Sequence, residues 1–137
     1  MPFLFLKQSH AGTDAKLCAF FALYHFKNGG ITRDQYIAAA SKAYTDIGIS
    51  DADAKGMALD GNDPATLARF GLTAGNKGAV DGFEVLIVCD TTHGHFFTIR
   101  KEGGSWYSYD SWQYDAATLI GDAAAAKAVC GNFPVYH

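Results

Sequence analysis

A chain of 137 residues has the length of one ordinary domain, enough to bury a core without disulfide or metal staples. With 49% apolar and 18% charged residues it suits a compact globule and not a disordered chain. A formal net charge of −3 gives no electrostatic footprint for a nucleic-acid backbone and leaves protein and small-molecule substrates open.

The N-terminal apolar run Pro2-Phe3-Leu4-Phe5-Leu6 is shorter than the apolar region of a secretory signal and lacks a basic start. No stretch approaches the roughly 20 apolar residues that cross a bilayer. The expectation is a cytoplasmic, monomeric protein without a membrane partner, or one delivered into a target cell by a specialised secretion system.

Thr13 or Asp14 is positioned to cap a first helix carrying Leu17, Cys18, Phe20, Phe21, Leu23, Tyr24 and Phe26, which ends at Asn28-Gly29-Gly30. Thr32 followed by Gln35 has capping-box spacing and opens a second helix through Tyr36, Ile37, Ala40 and Tyr44. The Gly- and Asp-rich stretch from Gly48 to Asp63 reads as a mobile connection. Asp63-Pro64 then predicts an N-cap with proline at the first helical position, and Gly71 a left-handed stop. Beyond this point the pattern changes. Phe83 to Cys89 is a β-branched apolar run, expected as a central strand. His95 to Arg100, the turn Lys101-Glu102-Gly103-Gly104 and Ser105 to Asp110 predict a hairpin. A last helix is expected from about Ala116 to Val129, stopped by Gly131, with Phe133 to Tyr136 returning as a strand. Helices first and an antiparallel sheet afterwards define an α+β domain spanning residues 1–137, with N-terminal helices packed on a C-terminal sheet.

Three cysteines, Cys18, Cys89 and Cys130, are an odd number without repeated spacing, which favours free thiols in a reducing compartment over a disulfide framework or a zinc site. Cys18 falls in or near the first turn of the first helix, where unpaired amides and the helix dipole favour the thiolate, the attacking species. Such a thiolate needs an imidazole to hold its proton and pass it to the leaving group, and donors aimed at the oxyanion. His95 begins an apolar strand just after a glycine-containing loop. Asp110, fifteen residues later, ends the partner strand, so the hairpin returns the two to the same edge of the sheet. The carboxylate is then placed to fix the imidazole tautomer. Each residue also has a plainer reading: a buried small residue for Cys18, a hydrogen-bonded surface residue for His95, a turn for Asp110-Ser111.

The segment His95-Phe96-Phe97-Thr98-Ile99-Arg100-Lys101, followed by Gly103-Gly104-Ser105-Trp106-Tyr107-Ser108-Tyr109-Asp110-Ser111, resembles the histidine hairpin of Josephin domains. Those are papain-like cysteine proteases that cleave ubiquitin chains. Lys7-Gln8 and Leu17-Cys18-Ala19 are similar to the start of the same family, and Leu119-Ile120-Gly121-Asp122 continues the likeness. The resemblance implies Cys18 as nucleophile, His95 as base, Asp110 as the orienting residue and Gln8 as an oxyanion-hole donor. It also implies a protein substrate, ubiquitin or a ubiquitin conjugate, and no cofactor. Two positions depart from the family pattern: Gln8 stands ten residues before Cys18, a longer gap, and aspartate takes the place commonly held by asparagine. The region between the second helix and Phe83 is also short. Cys-His-Asp constellations with this interval resemble bacterial effector proteases and glutamine deamidases as well, and these chemistries share one thioester pathway.

His93-Gly94-His95 sets two imidazoles on one face of a strand, but no further ligands stand at metal-site spacing, so His93 is expected to be a loop residue. Cys89 and Cys130 are expected to pack. Trp106, Tyr107, Tyr109 and Trp112 are candidates to line a substrate cleft. Inward packing along the strand is an equally good reading of Trp106 and Tyr109, and Trp112, directly after Asp110-Ser111, is the better candidate wall. The competing reading from another class is a non-catalytic ubiquitin- or protein-binding module on the same fold, against which the presence of all three triad residue types argues.

Overall fold

The computed structural model describes residues 3–60 and 64–137. Among these, six strands form one antiparallel sheet: β1 (Ala74–Gly75), β2 (Val85–Asp90), β3 (His95–Glu102), β4 (Ser105–Tyr109), β5 (Thr118–Gly121) and β6 (Val135–Tyr136). Their spatial order is β1-β6-β2-β3-β4-β5. The described helices are α1 (Cys18–Phe26), α2 (Arg33–Thr45), α3 (Asp51–Asp60), α4 (Pro64–Arg69) and α5 (Ala123–Cys130). The expected α+β architecture is observed, with Cys18 on the N-terminal helices and His95 on the C-terminal sheet.

Alternation along β2 shows why its apolar run is unbroken. Ile87 and Cys89 face a core built with α1, α2 and α4 through Leu17, Phe20, Phe21, Tyr36 and Leu67. Leu86 and Val88 face a second core with Ile99, Trp106, Ala126, Cys130 and Val135. A strand covered on both faces has no polar side to present.

The hairpin of β3 and β4 closes as expected. Glu102 pairs with Ser105 across Gly103-Gly104, whose φ angles of 57° and 87° are those of a two-residue primed turn. Thr98 pairs with Tyr109, so the residue after Tyr109 returns toward the start of β3. Side chains of β3 also fasten it to α1. Thr98 Oγ1 donates to the Ala22 carbonyl at 2.6 Å, and Arg100 Nη2 donates to the carbonyls of His25 (2.7 Å) and Phe26 (3.0 Å). The last carbonyls of a helix lack intrahelical donors, and a cation there also complements the dipole. Arg100, only 8% exposed and stacked on Phe3 at 4.1 Å, therefore caps α1 from the sheet. Arg100→Met is expected to lower stability by about 3 kcal/mol, because two carbonyls lose charged donors in the interior. Urea unfolding checks it: the midpoint should fall at unchanged slope, whereas Met at the exposed neighbour Lys101 should leave it nearly unmoved.

Three expectations are corrected. First, neither Thr13 nor Asp14 caps α1. A 3₁₀ turn, Thr13–Lys16, intervenes, and α1 starts at Cys18 with Leu17 at the cap position and no side-chain cap. The Asp14 carboxylate is engaged instead by Arg33, in two contacts of 2.8 Å. Second, the stretch read as a mobile connection contains α3. Its buried side is only Ala54 and Ala58, one turn apart, packed toward α2, so no apolar stripe announced it. Ser50 Oγ accepts from the Asp53 amide and Asp51 lies in the first turn, ordinary helix-start chemistry. Third, residues 118–121 form β5 on the edge of β4, with a register shift at Trp106/Tyr107, and α5 begins only after Asp122, whose Oδ1 accepts from the Ala125 amide at 2.9 Å. The capping box of Thr32 and Gln35, the positive φ of Gly71 (83°) and the stop at Gly131 are as expected. The expected N-cap at Asp63 lies outside the described residues.

Candidate active site

Cys18 is the first residue of α1, where amide N–H groups have no intrahelical acceptor. His95 opens β3 opposite Asp90 in the β2 register. Asp110 follows β4, buried at 5% exposure. The two fastenings of β3 to α1, at Thr98 and Arg100, hold helix and strand so that these three side chains meet. His95 Nδ1 lies 3.3 Å from Cys18 Sγ, and His95 Nε2 lies 2.8 Å from Asp110 Oδ1. The His95 and Asp110 side chains are 13% and 6% exposed, so the contact between them is largely withdrawn from water.

Burial pulls the His95 imidazole down, but the hydrogen bonds to Asp110 and Cys18, with their charges, outweigh it and push the group up to about 9. At neutral pH both ring nitrogens then carry protons: Nε2–H donates to Asp110 and Nδ1–H to Sγ. The other two thiols differ in kind. Burial, and then the nearby Asp90, pushes Cys89 up, and burial pushes Cys130 up to about 11. Both lie buried in the cores with nothing that would activate them.

Gln8 is 1% exposed, and its Nε2 donates to Cys18 Sγ at 3.4 Å and to the Asp14 carbonyl at 2.8 Å. The long gap between Gln8 and Cys18 is closed by the 3₁₀ turn and by a strap laid along α1 from its far end. The Leu4 amide donates to Asn28 Oδ1 (2.8 Å), the Leu6 amide to His25 Nε2 (3.0 Å), and the Gln8 amide to the Ser111 carbonyl (3.4 Å). Burial, and then the Arg100 charge, holds His25 down at about 4, so its Nε2 stays free of a proton and available as acceptor.

An open cleft of about 440 Å³ exposes this centre, bounded by Lys16, Asp90, His93, His95, Trp112 and Gln113 beside Cys18. Trp112 lines it, stacked on His10 at 3.8 Å, while Trp106 and Tyr109 are buried. His93 lies in the β2–β3 turn, its Nδ1 2.9 Å from Asp90 Oδ2. Asp90, Lys16 and Gln113 carried no motif in the sequence. Only the packing of the turn and of the segment after β4 brings them to the cleft.

The fold and this centre define an α+β protein with the geometry of a Cys-His-Asp triad, consistent with the papain-like superfamily and with thiol-hydrolase activity in general. Neither a scan against protein-family models nor a search of curated proteins returns a match to this chain.

Proposed function

We propose that this chain is a papain-like cysteine hydrolase that cleaves an amide or isopeptide bond in a protein substrate, acting in the manner of a Josephin-type deubiquitinase. The observation that carries the reading is the continuous path Cys18 Sγ to His95 Nδ1 (3.3 Å) and His95 Nε2 to Asp110 Oδ1 (2.8 Å). In this reading Sγ attacks the carbonyl carbon, and the oxygen gains charge within reach of the Cys18 amide and the Gln8 side chain, which already points an N–H at Sγ. His95 Nδ1–H passes its proton to the leaving nitrogen as the C–N bond breaks, leaving a thioester on Cys18. Water, deprotonated by the same nitrogen, attacks the thioester; the C–S bond breaks, the acid is released, and the Cys18 sulfur and the doubly protonated His95 ring are restored. Asp110 keeps the ring oriented through both steps, and Trp112 walls the cleft.

The Josephin-type substrate rests on the resemblance of the hairpin motif alone; Thr98 and Arg100 in that stretch bind β3 to the carbonyls of α1 and so fix the motif in the fold. The test is labelling with a ubiquitin C-terminal electrophile. A covalent adduct on Cys18, absent in Cys18→Ala and slowed by about two orders of magnitude or more in His95→Ala, is the expected result. No ubiquitin adduct, with ready alkylation of Cys18 by a small electrophile, would discard the ubiquitin substrate and leave an effector-type protease or glutamine deamidase on the same fold.

A further inference from the structure

A second cavity, of about 490 Å³, opens on the α5 side of the sheet and shares Asp90, His95 and Gln113 with the catalytic cleft. Its walls are of another character. Phe97, Leu119, Ile120, Val129 and Phe133 line it, and two of the largest exposed apolar side chains, Leu119 (61%) and Tyr114 (43%), stand at it. Phe97 stacks on His95, with 5.8 Å between ring centroids and planes inclined by 21°. Cys18 lines the first cavity and not the second, so the imidazole is the boundary between a polar cleft holding the sulfur and an apolar pocket beyond it.

We propose that this pocket binds an apolar side chain on the leaving-group side of a polypeptide substrate; the proposal rests on the hydrolase reading above. When Sγ attacks, the acyl carbon is at Cys18 and the leaving nitrogen must lie beside His95, which protonates it. Whatever that nitrogen carries extends past the imidazole, away from the sulfur, where the walls become apolar. The occupant is a branched aliphatic or aromatic side chain, because beyond Asp90, His95, Ser108, Asp110, Gln113 and Thr118 the remaining walls are aliphatic and aromatic and the volume exceeds what a small side chain fills. An exposed apolar surface adjoining a polar cleft is what a substrate contact requires and what a solvent-facing edge strand ordinarily avoids.

Aminolysis of the acyl-enzyme reads this side of the site directly. A short-chain p-nitrophenyl ester acylates Cys18, releasing p-nitrophenol. Added amino-acid amides then compete with water: the amine nitrogen attacks the thioester carbon, the C–S bond breaks, and the amine proton passes to His95 as the new amide leaves. Leucinamide and phenylalaninamide should capture the acyl group about tenfold better than glycinamide. Ala128→Phe, which fills the pocket from an exposed position on α5, and Leu119→Asp should each reduce that preference to about twofold or less while leaving hydrolysis by water unchanged. Equal capture of all the amides by the wild type, or a preference that survives both substitutions, overturns the pocket and leaves the hydrolase standing. Failure of the ester to acylate Cys18 overturns both.

Discussion

Cys18→Ala is expected to lower turnover of a true substrate by about four orders of magnitude or more, with the fold retained. The reason is chemical. In the proposed pathway the sulfur forms the thioester, and among the described residues no other nucleophilic side chain is hydrogen-bonded to His95 Nδ1 to replace it. Alanine fills nearly the same place at the start of α1, which is held by contacts the substitution does not touch: Thr98 to Ala22, Arg100 to the last carbonyls, and the Leu17 and Phe21 packing. Stability should change by about 1 kcal/mol at most. Cys89→Ala is the contrasting case. That thiol is buried in the core at 5% exposure and pushed up by burial, so its removal should leave turnover unchanged and cost about 1 kcal/mol of packing. Turnover and urea unfolding measured on both variants separate the two effects. Equal turnover by Cys18→Ala and wild type would remove the nucleophile assignment, and with it the proposed function.

Most of the site's framework is legible in the sequence because local chemistry fixes it. Gly103-Gly104 between two alternating segments can hardly be other than a hairpin turn, and that turn alone returns Asp110 toward His95. The apolar run of β2 reads as a strand covered on both faces for the same reason that it is one. What the sequence hides depends on partners far along the chain. The ten-residue gap from Gln8 to Cys18 argues against a shared site until the 3₁₀ turn and the strap on His25 and Asn28 are seen. Asp14 has the right type and place to cap α1, but Arg33, nineteen residues away, takes its carboxylate. α3 buries two alanines and little else, leaving no periodic apolar signal to find. β5 exists because an exposed edge of β4 is there to pair with, while its residues lead directly into the helix-forming alanines of α5. Asp122 was the available signal, an N-cap residue placed immediately before that run.

Removal of the Asp110 carboxylate should have the next largest effect: Asp110→Ala is expected to lower kcat/KM by about three orders of magnitude at neutral pH. Two losses combine, the hydrogen bond that orients the ring and the charge that keeps it protonated. Asp110→Asn separates them, since an amide oxygen can still accept from Nε2–H while the charge is gone. The direction in pH follows from the proton that His95 donates. Against burial, which favours the neutral ring, Asp110 and Cys18 raise the group to about 9, so the acid that protonates the leaving nitrogen is present at neutral pH and lost above about 9. The wild-type rate should therefore fall on the alkaline side near that value. In Asp110→Asn the fall should begin at lower pH, and lower still in Asp110→Ala. The same proton contributes to stability. A group raised from 6.5 in the unfolded chain to about 9 in the folded one stabilises fully below about 6.5, and the contribution is lost as pH rises through about 9. Thermal unfolding across this window should show the wild type losing more stability than Asp110→Ala, whose imidazole has less shift to lose. Rate profiles whose alkaline limb stays in place in both variants would mean that Asp110 orients the ring without governing its proton. A limb that moves with the charge would show that one carboxylate, buried behind His95, sets the pH range over which the enzyme can release its leaving group.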